Sequence, residues 1–154
     1  MIETVNLTKI YNLGTPREVK AAVDVNVKVE DGAITILQGP SGCGKTTLLS
    51  MLGLILTPTS GRIILDGEDI TRYSDHWKTL YRRRHMGFIF QHINLLPGYT
   101  AMENVLVPLL CFDEDVSAYR ERAMKLFEKL NIADKADNLV EQLSGGEQQR
   151  VALV

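Results

Sequence analysis

The chain has 154 residues, with 17 Lys and Arg against 19 Asp and Glu and a net charge of −2. A hydrophobic share of 45% and a charged share of 23% match one ordinary folded domain and exclude wholesale disorder. The near-neutral balance also argues against a dedicated nucleic-acid binder, which carries a basic footprint.

Two cysteines, Cys43 and Cys111, are too few for a disulfide framework or a CxxC zinc site, and a reducing, intracellular setting is the expectation. The longest apolar stretches, residues 48–56 and 105–112, fall far short of the roughly 20 residues of a spanning helix. Met1-Ile2-Glu3-Thr4 has neither the basic nor the apolar region of a signal peptide. There is no internal repeat and no low-complexity segment.

Taken in chain order, residues 22–30 alternate Val23, Val25, Val27 and Val29 with polar positions, which predicts a half-buried antiparallel strand. Asp31-Gly32 signals a turn. Residues 33–38 are short and mostly apolar, which predicts a strand buried on both faces. A glycine-rich loop follows, then a buried helix over 46–56, ended by Pro58 and Gly61. Residues 61–65 read as a short strand before the tight-turn pair Asp66-Gly67. Because of that pair, Asp66-Gly67-Glu68-Asp69 reads as a hairpin and not as a metal site. Arg82-Arg83-Arg84-His85 closes a basic helical stretch, and residues 86–91 read as a second buried strand. Over 117–130 the apolar positions Tyr119, Ala123, Leu126, Phe127 and Leu130 fall on one helical face.

The loop carries the chemistry. Gly39-Pro40-Ser41-Gly42-Cys43-Gly44-Lys45-Thr46-Thr47 fits G-x-x-x-x-G-K-[ST], between a predicted strand and a predicted helix. Glycines let successive N–H groups converge into an anion nest, and the helix aims its positive end at the same place. In that pattern Lys45 reaches the β- and γ-phosphates and the Thr46 hydroxyl ligates Mg²⁺. A second glycine-bearing turn, Leu143-Ser144-Gly145-Gly146-Glu147-Gln148-Gln149-Arg150, is by itself a helix start with Ser144 and Glu147 as a capping box.

The two together, with a helical region between, resemble the ATP-binding subunits of ABC transporters, whose signature motif is LSGGQ. Here Glu147 stands in the fifth place. The resemblance covers essentially the whole chain. It implies a P-loop NTPase core of α/β class with an antiparallel β subdomain and a helical subdomain. The β part and the start of the core would occupy 1–91, the helical part 92–142, and the signature and its helix 143–154. It further implies that Tyr11 stacks on adenine and that Gln91, ending Gly-Phe-Ile-Phe-Gln, reaches Mg²⁺ and the attacking water. Residues 97–103 would lie near the coupling helices of membrane permease subunits. Two subunits would pack head to tail, with ATP on one covered by Ser144, Gly145 and Gly146 of the other. The lengthened hairpin at 12–20 and residues 87–105, which begin Gly-Phe-Ile-Phe-Gln-His-Ile-Asn-Leu-Leu-Pro, look like the lipoprotein-release and macrolide-export type. Such a subunit works in the cytoplasm, peripheral on the inner face of the cell membrane.

In the family, an apolar strand ending Asp-Glu and a switch histidine follow the signature. Neither occurs in these 154 residues, and His76, His85 and His92 all precede the signature. The expectation is an incomplete core, with an open gap in its parallel sheet and exposed apolar strand edges, which invite aggregation. Two readings stand, a transporter ATPase subunit read as part of a longer protein and a nucleotide-binding fragment without turnover of its own; weaker are a soluble non-transport ABC ATPase and a small-molecule phosphotransferase. The last leaves residues 143–150 unexplained.

Overall fold

The computed structural model describes residues 1–111 and 116–154, apart from the Cys111 side chain. Phe112, the end of the apolar run noted above, lies outside the described residues. The chain forms two compact units, Met1–Gly87 and Phe88–Val154.

The first unit is built on an antiparallel sheet. Strand β1 (Ile2–Tyr11) pairs with β2 (Val19–Val25), with the short β3 (Lys28–Val29) and with β4 (Ser60–Leu65), which pairs in turn with β5 (Glu68–Asp69). The β4–β5 hairpin closes through Asp66 and Gly67, both at positive φ (50° and 86°), the two-residue turn that the pair predicts. The N-terminal ammonium of Met1 donates to Asp31 at 2.5 Å and to Asp66 at 2.6 Å, tying two turns to the start of β1.

The strand expected over 22–30 is interrupted. Asp24 takes φ 48° and the β1–β2 register shifts between Leu7 and Lys9. An irregularity of this kind inverts the side-chain alternation. Val25, Val27 and Val29 stay half-buried, whereas Val23 is turned outward. The buried Thr4 holds the break together. Its hydroxyl donates to the Val25 carbonyl and accepts from the Val27 N–H, both at 3.0 Å.

Residues 33–38 and 86–91 form no strands. Ile34 is 94% exposed, Ile36 73% and Ile89 69%. Their composition is that of buried strands, but a strand exists only through ladder bonds to a neighbour, and among the described residues no strand pairs with either segment. The parallel sheet with a gap and open strand edges is therefore not formed among the described residues, whose strand pairings are all antiparallel, and the two apolar segments are exposed without being strands.

Helix α1 (Lys45–Leu52) is shorter than the helix expected over 46–56. Gly53 ends it, its N–H bonding back to the Leu49 carbonyl at 2.8 Å, and Leu54 follows at φ 58°. A left-handed leucine is strained. Here it is held by burial in the core and by Arg82, which donates from Nη1 to its carbonyl at 2.7 Å. Arg82 belongs to α2 (Asp75–His85), capped by the Ser74 hydroxyl, which accepts from Trp77 N–H. Leu7, Leu48, Met51, Leu54, Ile63, Leu65 and Ile70 form the core under the sheet.

The second unit is helical. Helix α3 (Ala101–Leu106) leads into a 3-10 turn (Val107–Cys111). Helix α4 (Val116–Lys129) buries Ala123 and Phe127, two of the positions its periodicity selects. Helix α5 (Gly145–Val151) closes the chain. Their shared core is Ala101, Met102, Ala123, Phe127, Ile132, Ala136, Leu143 and Val151. Thr100 begins α3 with a full capping box: its hydroxyl accepts from Glu103 N–H at 3.2 Å, and the Glu103 carboxylate accepts from Thr100 N–H at 2.7 Å.

Two measurements check these contacts. Arg82→Ala leaves a carbonyl of the first core without its donor and is expected to destabilise the first unit by about 1–3 kcal/mol in chemical denaturation. The Glu103 carboxyl is held below its ordinary value, first by the Thr100 N–H and then by the Thr100 hydroxyl. A depressed folded value gives stability that is present at neutral pH and lost as pH falls through the carboxylate range. Glu103→Gln is therefore expected to flatten the acid side of the second unit's thermal-midpoint profile, read by circular dichroism.

Candidate functional site

The glycine-rich loop joins the extended segment 33–38 to α1. Gly44 is the N-cap of α1, at φ 92°. A Cβ there would stand 1.9 Å from the Ala21 carbonyl oxygen of β2. The left-handed backbone and the close approach each require glycine. Glycine has no side chain to cap the helix, so the first-turn N–H groups of α1 lack a side-chain acceptor, and the helix dipole adds positive potential there.

Lys45 curls back over the loop. Its Nζ donates to the carbonyls of Gly39 at 2.8 Å and Pro40 at 2.6 Å, with Cys43 Sγ at 3.6 Å. Neutral carbonyls are weaker acceptors for an ammonium than a charged oxygen. Nothing in Gly39, Pro40, Ser41, Gly42, Cys43, Gly44, Lys45, Thr46 and Thr47 carries negative charge. The loop thus offers an ammonium, backbone N–H groups and hydroxyls, with Thr46 exposed. That donor set fits a polyphosphate, with a hydroxyl for its metal ion.

Tyr11 ends β1 opposite Val19 in the same unit. Its ring is partly exposed, and the Lys9 ammonium lies 5.4 Å from its centroid. The Thr59 hydroxyl accepts from Ile10 N–H at 3.0 Å and so fixes the strand end beneath the ring.

In the second unit Gln91 is exposed, directly after Phe88 and Phe90, whose rings stack 6.0 Å apart. The chain beyond it is clamped by two residues that motif reading did not single out. Asn104 accepts from Leu96 N–H at 2.6 Å and donates to the Leu96 carbonyl at 3.2 Å, and Glu141 accepts from Gly98 N–H at 2.6 Å. A signal was available nearby: Thr100-x-x-Glu103 has the same capping pattern as Ser144-x-x-Glu147.

The second motif is a well-made helix start. Leu143 is buried, and Ser144 caps α5. The Glu147 carboxylate accepts from Ser144 N–H at 2.8 Å and from the Ser144 hydroxyl at 2.7 Å. These bonds, the hydroxyl first, hold the Glu147 carboxyl below its ordinary value. The fifth motif position therefore performs a helix-capping task for which a carboxylate is suited. Gln148 braces α5 by donating to the carbonyls of Val140 at 2.8 Å and Leu143 at 3.2 Å. A Cβ on Gly145 would meet open space, so the helix start presents bare backbone.

The structure groups Tyr11 and the Gly39–Thr47 residues in one unit, and Gln91 and the Leu143–Glu147 residues in the other. Comparison with known proteins agrees with this pairing of motifs. The family model described as ABC transporter matches residues 22–154. The chain is 42% identical to the ABC transporter ATP-binding protein MJ1508 of Methanocaldococcus jannaschii, over 99% of this chain and 68% of that protein. It is 38% identical to the lipoprotein-releasing system ATP-binding protein LolD 1 of Rhodopseudomonas palustris, over 96% of this chain and 66% of that protein. It is 41% identical to the macrolide export ATP-binding/permease protein MacB of Syntrophobacter fumaroxidans, over 99% of this chain and 22% of that protein. Among solved structures, the dimeric ATP-binding cassette MJ0796 bound to ADP and Pi superposes with a TM-score of 0.89 at 35% identity, over 99% of this chain and 67% of that one. The chain thus spans about two thirds or less of the length of these relatives. With the phosphate loop and the signature turn both inside the matched residues, it belongs to the ABC transporter family of ATP-binding domains.

Proposed function

We propose that this chain is the ATP-binding part of a transporter ATPase subunit that drives export or extraction of a substrate through membrane permease subunits. The observation that carries the reading is a loop without a carboxylate, with Lys45 folded onto two neutral carbonyls above an uncapped helix start. When bound, Mg-ATP supplies the phosphoanhydride whose hydrolysis powers such a cycle.

The roles of this chain's residues follow. Lys45 exchanges the Gly39 and Pro40 carbonyls for phosphate oxygens, a gain in hydrogen-bond strength because both partners are then charged. The loop N–H groups of Gly39, Pro40 excepted, and of Ser41, Gly42, Cys43, Gly44, Thr46 and Thr47 hold phosphate oxygens. The Thr46 hydroxyl is the metal ligand of the loop, and Gln91 is assigned to the metal and the attacking water. Tyr11 offers its partly exposed ring to adenine. Leu143, Ser144, Gly145, Gly146 and Glu147 form the surface that covers ATP held by a second copy in a head-to-tail dimer. Backbone N–H donors there stabilise charge in a closed site. In domain terms, 1–91 is the β part and the start of the core, 92–142 the helical subdomain and 143–154 the signature segment.

Similarity to the LolD and MacB proteins supports the export or extraction type. Among the described residues no helix is long and apolar enough to cross a membrane, in keeping with a subunit that sits on the inner face of the cell membrane beside separate permeases.

Binding of a fluorescent ATP analogue with Mg²⁺ tests the reading. Lys45→Ala is expected to weaken it by about tenfold or more. Turnover by these 154 residues alone is expected to be absent, because the family's water-polarising glutamate is not among them. Lys45-dependent turnover would mean that another residue holds that role. Gly44→Ala, which drives a methyl group into the Ala21 carbonyl, is expected to lower stability by about 2–4 kcal/mol and to abolish binding, read by thermal melt and the same titration.

A further inference from the structure

A cleft of about 630 Å³ lies in the first unit, between the start of β4 and the start of α2, and no role above uses it. Lys78 lines it and is only 6% exposed. Its ammonium donates to the Thr71 carbonyl at 3.2 Å and has no carboxylate within ion-pair distance among the described residues. An ammonium carries three donors, so two of them have no protein acceptor among the described residues. A buried charge in that condition is costly unless something compensates it. On the same helix Leu80 is partly exposed while Lys78 is turned inward, the reverse of what apolar packing alone would select.

The rest of the cleft is suited to negative charge. Arg72 lines it and is exposed. The hydroxyls of Thr57 and Ser60 line it without a hydrogen-bond partner among the described residues. The Ser74 hydroxyl accepts from Trp77 N–H and keeps its own proton to donate. One carboxylate, Asp75, also lines the cleft, leaving two cations against one anion.

We propose that this cleft binds an oxyanion of the phosphate class, with Lys78 as the buried cation and Arg72 as the exposed one. The site is separate from the glycine-rich loop. It shares no residue with it and does not depend on the reading of that loop.

The chain's single tryptophan, Trp77, adjoins Lys78, and its ring packs edge-on at 4.5 Å against Tyr73, which also lines the cleft. Inorganic phosphate titrated into the full chain at constant ionic strength is expected to change Trp77 fluorescence saturably and to raise the thermal midpoint. Lys78→Met should weaken both responses about tenfold or more, and Lys45→Ala should leave the Trp77 fluorescence response intact. Arg72→Glu, on an exposed side chain, should also weaken them and covers the case in which the Lys78 variant does not fold. Loss in Lys45→Ala with retention in Lys78→Met would assign the anion to the glycine-rich loop and overturn the proposal. So would an equal response to chloride, or no response. Co-sedimentation with phosphatidylcholine vesicles containing phosphatidic acid separates the sources. Lys78-dependent pelleting identifies a lipid headgroup, and phosphate binding without pelleting identifies a soluble phosphate.

Discussion

The phosphate loop is held by an approach of backbone to backbone. Gly44 lies so close to the Ala21 carbonyl that no side chain fits between them. Ala21 belongs to β2, β2 pairs with β1, and β1 also pairs with β3 and β4. The position of the loop on the unit is therefore inherited from the sheet, while Lys45 braces the loop from within through the Gly39 and Pro40 carbonyls. A loop whose glycines leave it with little intrinsic stiffness obtains rigidity from the strand beneath it. The strand owes its own irregular course to Thr4, whose hydroxyl bridges the break at Val25 and Val27. Pre-organisation of the donor set rests on that chain of contacts.

The helix starts divide by task. Helices α2, α3 and α5 begin with the hydroxyls of Ser74, Thr100 and Ser144, each accepting from a backbone N–H of the first turn. Helix α1 begins with Gly44 and no side-chain cap. The capped starts satisfy themselves, whereas the first-turn donors of α1 have no side-chain acceptor. Ser144 and Glu147 belong to both groups, since their side chains close a capping box while Gly145 and Gly146 leave the adjoining backbone bare. The signature turn is thereby rigid at its side chains and open at its main chain.

Much of this was legible in the sequence because it is local. Asp66-Gly67 specifies its turn through two positive φ angles, and Ala123 and Phe127 specify the buried face of α4 through their spacing. The phosphate loop and the signature were legible as motifs because fixed spacings encode their backbone chemistry. What was not legible depends on partners distant in sequence. Val23 points outward because the register with β1 shifts at Asp24, which no alternation of valines reveals. Residues 33–38 and 86–91 have strand composition, but pairing is decided by a neighbour and not by composition. Leu54 ends up left-handed because Arg82, 28 residues on, supplies a donor to its carbonyl. The clamp formed by Asn104 and Glu141 is likewise tertiary.

The two compact units are contiguous in the chain, 1–87 and then 88–154. Every partner of the phosphate loop described above, Ala21 of β2 and the loop's own carbonyls, is encoded before the first residue of the helical unit. At about 5–20 residues per second of synthesis, the second unit's residues take several seconds longer to appear. The nucleotide loop can be assembled on its sheet during that interval. Order of translation thus separates the moment at which residues 39–47 are complete from the moment at which residues 143–147 are complete.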